Sequence, residues 1–166
     1  SDAQSPIISY NSQAEEVFAV TDFTDAYRDH ARKVQRGLYL YDDRNTLMIQ
    51  DELVLKGSGE VWWFMHTRAE LTLLNNAQQV ILERNGKKLI ASLQSSVPAS
   101  FSVVDAVPLP TSPKDEYWNP PADMKKLAIH FENIKNLTLN VTFKEASAEE
   151  QDIHSESKFI PMNKWG

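Results

Sequence analysis

The chain has 166 residues, 42% of them hydrophobic, which is enough for one domain with a real core. Its net charge of −6 argues against a nucleic-acid partner, since such proteins usually present a basic face, and the lack of cysteine excludes disulfides and thiolate metal sites. No apolar run approaches the roughly 20 residues needed to span a membrane, and the N-terminus SDAQSPIIS lacks the features of a signal peptide.

The chain begins with an N-terminal segment, residues 1–15, for which no element is predicted. Residues 16–21 have the composition of a first strand. Residues 24–35 follow with Thr24 as a candidate N-cap and acids near the start, which predicts one or two helical turns or an irregular crossover.

The block from Arg36 to Arg68 predicts three strands in succession, and in the first of them Leu38 and Leu40 alternate with Tyr39 and Tyr41, the period-two pattern of a strand with two distinct faces. The predicted strands are 38–41, 46–50 and 61–67, separated by a turn at 42–45 and a loop at 56–59.

The second half predicts six further strands and one long loop. Asn85-Gly86 is typical of a type I′ hairpin turn. Residues 107–123 hold five of the eight prolines and predict a surface loop, a kind of segment that often carries function. The strands are predicted at 70–74, 80–84, 87–90, 101–106, 126–132 and 137–143.

This pattern predicts an all-β fold, an antiparallel β-sandwich of about nine or ten strands with little helix. We expect the sandwich to occupy residues 16–144. Residues 145–166 are expected to be an acidic tail that docks, if at all, through its C-terminal aromatic residues.

No metal site is predicted, since no two of the four histidines share a metal-ligand spacing. Asp22, Asp25, Asp29 and His30 offer oxygens that calcium could use, but the cluster lacks the glycine and spacing of a calcium loop, which favours helix capping. His66 ends an aromatic strand. It is either hydrogen-bonded to a neighbouring loop or presented to a ligand or adjoining domain.

No catalytic residue is predicted either. Asp51-Glu52 lies at a strand end and can offer a carboxylate to Arg36 or Lys56. Adjacent acids in a strand point to opposite faces, unlike a glycosidase pair. The sequence contains no Gly-x-Ser-x-Gly elbow and no glycine-rich phosphate loop.

Four aromatic residues are candidates for an interface. Trp62 and Trp63 occupy opposite faces of one strand, so at most one of them lies in a given core. The other, together with Tyr117 and Trp118 in the proline-rich loop, would either stack on a sugar ring or pack at a domain interface.

Several segments together resemble the C-terminal part of the heparinase II/III-like polysaccharide lyases. The resemblance spans residues 17–144, and Arg36, Asp51 and His66 lie within it. The segments are DFTDAYRDHARKVQRGLYLYDDRNTLMIQDEL, VWWFMHT, ILERNGKKL and KKLAIHFENIKNLTLNVTF.

This resemblance implies a helical toroid N-terminal to the sheets and cleavage of acidic polysaccharides by β-elimination. In that family a tyrosine commonly acts as base or acid, a sheet histidine assists, and some members hold a zinc. None of these elements maps onto the present sequence, so no catalytic or metal residue is carried over.

The resulting expectation is a non-catalytic C-terminal sandwich, inactive alone, that supports the catalytic toroid of a periplasmic or secreted lyase. In the intact enzyme the substrate would be an acidic polysaccharide. The alternatives are a stand-alone carbohydrate-binding module and a purely structural interaction domain. An apolar patch left bare on one sheet would favour the lyase sandwich over both alternatives, because the toroid would pack there.

Overall fold

The computed structural model of the protein describes residues 2–13, 16–112, 120–146 and 159–165. These residues form nine strands and two short 3-10 helices, Thr24–Tyr27 and Met162–Lys164, and the part described has no α-helix. Nor does it contain a helix long and apolar enough to cross a membrane. The strands are β1 (Ile7–Ser12), β2 (Val17–Asp22), β3 (Ala31–Tyr41), β4 (Thr46–Thr67), β5 (Glu70–Leu74), β6 (Gln79–Arg84), β7 (Lys87–Ser95), β8 (Phe101–Asp105) and β9 (Lys125–Glu145).

Two long strands, β4 and β9, organise the sheet. They have 22 and 21 residues and pair antiparallel along their lengths, from Thr46 opposite Lys144 to Thr67 opposite Lys125. The strand order is β1-β2-β3-β4-β9-β7-β6-β5, and β8 pairs with the first half of β9. The predicted all-β, antiparallel fold is confirmed.

The hydrogen-bonded sheet folds back on itself around one core. Both halves of β9 contribute buried side chains to the same cluster, which requires the β4–β9 pair to bend between them. The register is irregular between Val54 and Val61, where the bend is made. The buried residues of β9 in this cluster are Leu127, Ile129, Phe131, Ile134, Leu137, Leu139, Val141 and Phe143.

Residues 24–35 match the prediction only in part: Thr24–Tyr27 forms one short 3-10 turn, whereas residues 31–35 belong to strand β3 and form neither further helix nor an irregular crossover. Only Thr24–Tyr27 is helical, and Thr24 is not its N-cap, because Phe23 takes that position without a side-chain hydrogen bond. The Thr24 hydroxyl instead accepts a hydrogen bond from the Val34 backbone N–H at 3.0 Å. Residues 31–35 belong to β3, where pairing with β4 satisfies the backbone groups that a helix would have satisfied locally.

Two predicted breaks lie inside strands, and one strand was not predicted. Residues 56–59 belong to β4. Residues 133–136 belong to β9, with Asn133 in the left-handed region at a φ of 54°. Strand β1 pairs with β2 and was missed. The Asn85-Gly86 turn is confirmed, since both residues have positive φ angles of 52° and 73°.

The C-terminal residues 159–165 pack on the outer face of β2 and β3. Met162 is almost completely buried there against Phe18 and Val20. Trp165 stacks on Tyr39 at a centroid distance of 5.2 Å. This face of the two strands is therefore covered by the chain itself.

Candidate functional site

Arg36 and Asp51 form a bidentate ion pair on the core face of the sheet. They are directly opposite each other on β3 and β4, and Arg36 Nε and Nη2 donate to the two carboxylate oxygens at 2.7 Å each. The Asp51 side chain is 10% exposed and that of Arg36 is 41% exposed. The hydrogen bonds to Asp51 raise the pKa of Arg36 above its usual value, although burial opposes the shift. The pair is a fixed charged contact rather than an acid or a base.

A pocket of about 440 Å³ adjoins this ion pair. Apolar side chains make up most of its wall, and a few polar groups converge on it, which is the usual composition of a site for a small group. The apolar part includes Leu53, Leu55, Val61, Trp63, Leu137 and Leu139, and the polar part includes Tyr27, His30, Arg36, Asp51 and Glu60.

Tyr27 and His30 reach the pocket from the segment predicted to be helical, so sequence reasoning did not associate them with Arg36. Both are exposed. Within the residues that the structure describes, neither side chain makes a hydrogen bond that would orient it for proton transfer.

Trp62 lies on the outer face of β4 in a row of stacked rings. His130 is its partner on β9, with ring centroids 3.8 Å apart and an interplanar angle of 11°. Phe64 stacks with it at 5.4 Å. Glu60 Oε1 accepts hydrogen bonds from Trp62 Nε1 and from His130 Nε2, each at 2.7 Å. The ring is therefore engaged within the protein.

Trp63 is the member of the tryptophan pair that enters the core. It is 4% exposed and belongs to the same cluster as the buried residues of β9. Its indole N–H is buried and has no hydrogen-bond acceptor within the part of the chain that the structure describes.

His66 lies at the exposed end of β4, opposite Lys126 on β9. Lys126 itself is almost completely buried, with its ammonium group hydrogen-bonded to the Val107 carbonyl and 4.4 Å from the centre of the Phe64 ring. The structure does not bring His66 into the pocket. Its role stays a prediction.

The acidic cluster around Asp22 and Asp25 serves the turn. Asp22 accepts hydrogen bonds from Thr24 N–H and Gln35 Nε2, and Asp25 pairs with Arg28. Burial alone would raise the pKa of Asp22, but these hydrogen bonds outweigh it and lower the pKa. Among the described residues no group of three or more His, Asp and Glu is placed to hold a metal ion.

Glu52 points to the opposite face from Asp51 and holds the C-terminal segment. It accepts hydrogen bonds from Lys33 Nζ at 2.5 Å, Met162 N–H at 2.8 Å and Gln50 Nε2 at 3.0 Å. Gln50 also donates to the Ile160 carbonyl at 2.9 Å. The two adjacent acids thus serve two different faces of the sheet.

Of the predicted site residues that the structure describes, Arg36 and Asp51 come together and His66 lies apart from them. Tyr117 and Trp118 lie outside the described residues. Counting outwards from the turn at 42–45 would have placed Arg36 opposite Asp51, because a hairpin turn fixes the register of its strands. No comparable signal in the sequence points to Glu60 or to Tyr27.

Comparison of the sequence with protein-family models gives no match, and a search of curated proteins also gives none. The fold is similar to solved polysaccharide lyases. Heparinase III matches with a TM-score of 0.63 and 12% identity over 86% of this chain and 21% of that chain. A second heparinase III gene product matches with a TM-score of 0.61 and 14% identity, over 86% of this chain and 22% of that one.

The heparan sulfate lyase HepC mutant from Pedobacter heparinus also has a similar fold. Its TM-score is 0.57 and its identity 11%, over 87% of this chain and 22% of that one. The present chain therefore matches about a fifth of the length of each of these enzymes. At such low identity the similarity establishes a shared fold.

Proposed function

We propose that this chain is the non-catalytic sheet domain of a larger polysaccharide lyase, in which it supports the catalytic part. The observation that carries the proposal is the fold similarity: 86% of the chain matches a fifth of heparinase III with a TM-score of 0.63. The sequence resemblance to the C-terminal part of such lyases supports the same assignment.

The chemistry of the pocket is consistent with a supporting role. β-Elimination requires a base that removes a proton next to the uronate carboxyl group. Arg36 cannot serve, because a guanidinium keeps its proton and this one is also bound to Asp51. Within the described part of the chain neither Tyr27 nor His30 makes a side-chain hydrogen bond that would orient it for proton transfer, and the interaction of Tyr27 with Arg36 is electrostatic.

The other elements of the enzyme belong to the proposal as well. The catalytic part would be the helical toroid that the sequence resemblance implies, and it would bind the acidic polysaccharide. The zinc ion that some members of the resembling family hold would belong to the catalytic part of the intact enzyme. An enzyme with such a substrate would act in the periplasm or after secretion.

The size of the native polypeptide tests the proposal directly. An antibody raised against the 18.9 kDa chain should detect, in extracts of the source organism, a polypeptide several times larger, because the chain matches only a fifth of each solved lyase. Detection of a single species of the mass of this chain would overturn the proposal.

A lyase assay tests the assignment of the chemistry. The purified chain should give no rise in unsaturated-uronate absorbance with heparin, heparan sulfate or alginate, whereas heparinase III serves as the positive control. A rise that disappears in Tyr27→Phe or His30→Ala would place catalysis in the pocket of this chain and refute the non-catalytic assignment.

A further inference from the structure

A row of apolar side chains, one from each neighbouring strand, crosses the core face of the sheet. One end of the row is buried in the core and the other end is exposed. Val141 on β9 is completely buried, and Ile49 beside it on β4 packs against the core. The row then continues through Leu38 on β3 and Ala19 on β2 to Tyr10 on β1. Leu38 is 45% exposed and Tyr10 is 74% exposed.

The opposite face of the same strands is already covered. Phe18 and Val20 on β2 and Gly37 on β3 are buried beneath Met162 and Trp165. An antiparallel sheet that faces water on one side normally alternates apolar and polar side chains. Here both faces of β2 and β3 carry apolar side chains, Ala19 and Leu38 on one and Phe18, Val20 and Tyr39 on the other, which is the pattern of strands covered on both sides.

The exposed end of this row adjoins the pocket through Arg36. Arg36 and Leu38 lie on the same face of β3, and the Arg36–Asp51 pair lines the pocket. An apolar strip beside a pocket that can receive a side chain, with a partly exposed arginine between them, has the composition of an interface centre.

We infer that the surface formed by Tyr10, Ala19, Leu38, Arg36 and the adjoining pocket is where the catalytic part of the parent lyase packs. This inference rests on the proposed function, and it names the contact surface. The occupant is argued from size: each matched lyase holds nearly four-fifths of its length outside the part that this chain matches. The sheet in such a polypeptide has a large neighbour in the same chain.

The test compares Leu38→Asp with Leu89→Asp in the full-length parent polypeptide. Leu89 is a matched control, since it is 44% exposed but lies on β7, three strands away in the sheet order. An aspartate buried without a partner is strongly unfavourable. Leu38→Asp should therefore increase the rate of proteolytic separation of the two parts by at least about tenfold, and Leu89→Asp should leave it unchanged.

Hydrogen exchange gives a second measurement that does not depend on a substitution. The amides of β1 should exchange more slowly in the parent than in the isolated chain, whereas those of β5, at the other end of the strand order, should exchange equally in both.

The outcomes separate the two proposals. Absence of any larger polypeptide would refute the proposed function. A larger polypeptide in which Leu38→Asp and Leu89→Asp behave alike would refute this surface and leave the function standing. Light scattering gives the third outcome. If the isolated chain is a dimer and its Leu38→Asp variant is a monomer, a second copy of the chain covers the row and the inference is overturned.

Discussion

The ring of Trp165 occupies the position where a side chain on residue 37 would project. A Cβ added to Gly37 would collide with this ring and would lie 2.6 Å from Met162 Sδ. Gly37→Ala should therefore displace the C-terminal segment. The expected loss in the free energy of unfolding is about 1–3 kcal/mol, as for other insertions into packed sites, and denaturant titration would measure it.

Gly57→Ala is the matched control, because a Cβ at that position meets no atom within 4 Å. It should leave stability unchanged or raise it slightly by restricting the unfolded chain. Equal effects of the two substitutions would show that Trp165 does not pack on Gly37.

The Arg36–Asp51 pair should contribute more to stability than a surface ion pair. Asp51→Asn removes one charge from a fork whose carboxylate is nearly buried, so we expect a loss of about 1.5–3 kcal/mol. The comparison is Asp105→Asn in the Lys125–Asp105 pair, where the carboxylate is 75% exposed and the expected loss is smaller because solvent screens the interaction. Equal losses of unfolding free energy for the two substitutions in chemical denaturation would show that the Arg36–Asp51 pair stabilises the fold no more than a surface pair does.

The strands could be predicted where local sequence and final structure agree. The Asn85-Gly86 turn and the alternation beside it are local signals, and both elements formed as expected. Residues 31–35 were misassigned because their pairing with β4 is a tertiary interaction that propensity does not report.

The pocket could not be predicted for a related reason. Tyr27 precedes β3 and Glu60 lies in the bend of β4, so the bend is what brings them to one cavity. The partial exposure of Leu38 could not be predicted from the sequence either, because it depends on how much of the β2–β3 region is covered by the folded-back half of the sheet. Alternation predicts which face a side chain takes, whereas the extent of the covering layer is a property of the whole fold.

The stabilisation that Glu52 gives to the C-terminal segment should decrease at acidic pH. Burial alone would raise its pKa, but the hydrogen bonds from Lys33, the Met162 backbone and Gln50 outweigh burial and lower the pKa below its usual 4.5. A carboxyl group with a lowered folded-state pKa contributes stability that is complete above the unfolded-state value and is lost as the pH falls through the folded-state value.

Glu52→Gln should flatten this dependence. The unfolding free energies of Glu52→Gln and of the unsubstituted protein should therefore differ at neutral pH and converge as the pH falls through the lowered pKa of Glu52. Glu83→Gln, which removes a carboxylate from the exposed pair with Lys88, is the control. If the unfolding free energies of Glu52→Gln and of the unsubstituted chain differ by the same amount across the whole pH range, Glu52 does not hold the C-terminal segment through its charge.

The two neighbouring tryptophans should separate packing from sugar binding. Trp63 is in the core, and Trp63→Ala should cost about 3–5 kcal/mol of stability. Trp62→Ala should cost only about 1–2 kcal/mol, because the ring is half-buried and loses mainly its stacking with His130 and Phe64.

The same Trp62→Ala substitution tests sugar binding. Since His130 and Phe64 already stack on the Trp62 ring, its loss should leave any binding to heparin or heparan sulfate unchanged in calorimetry. Binding that is abolished in a folded Trp62→Ala protein would favour the carbohydrate-binding module, and binding lost only in Trp118→Ala would locate such a site in the proline-rich segment 107–123 instead.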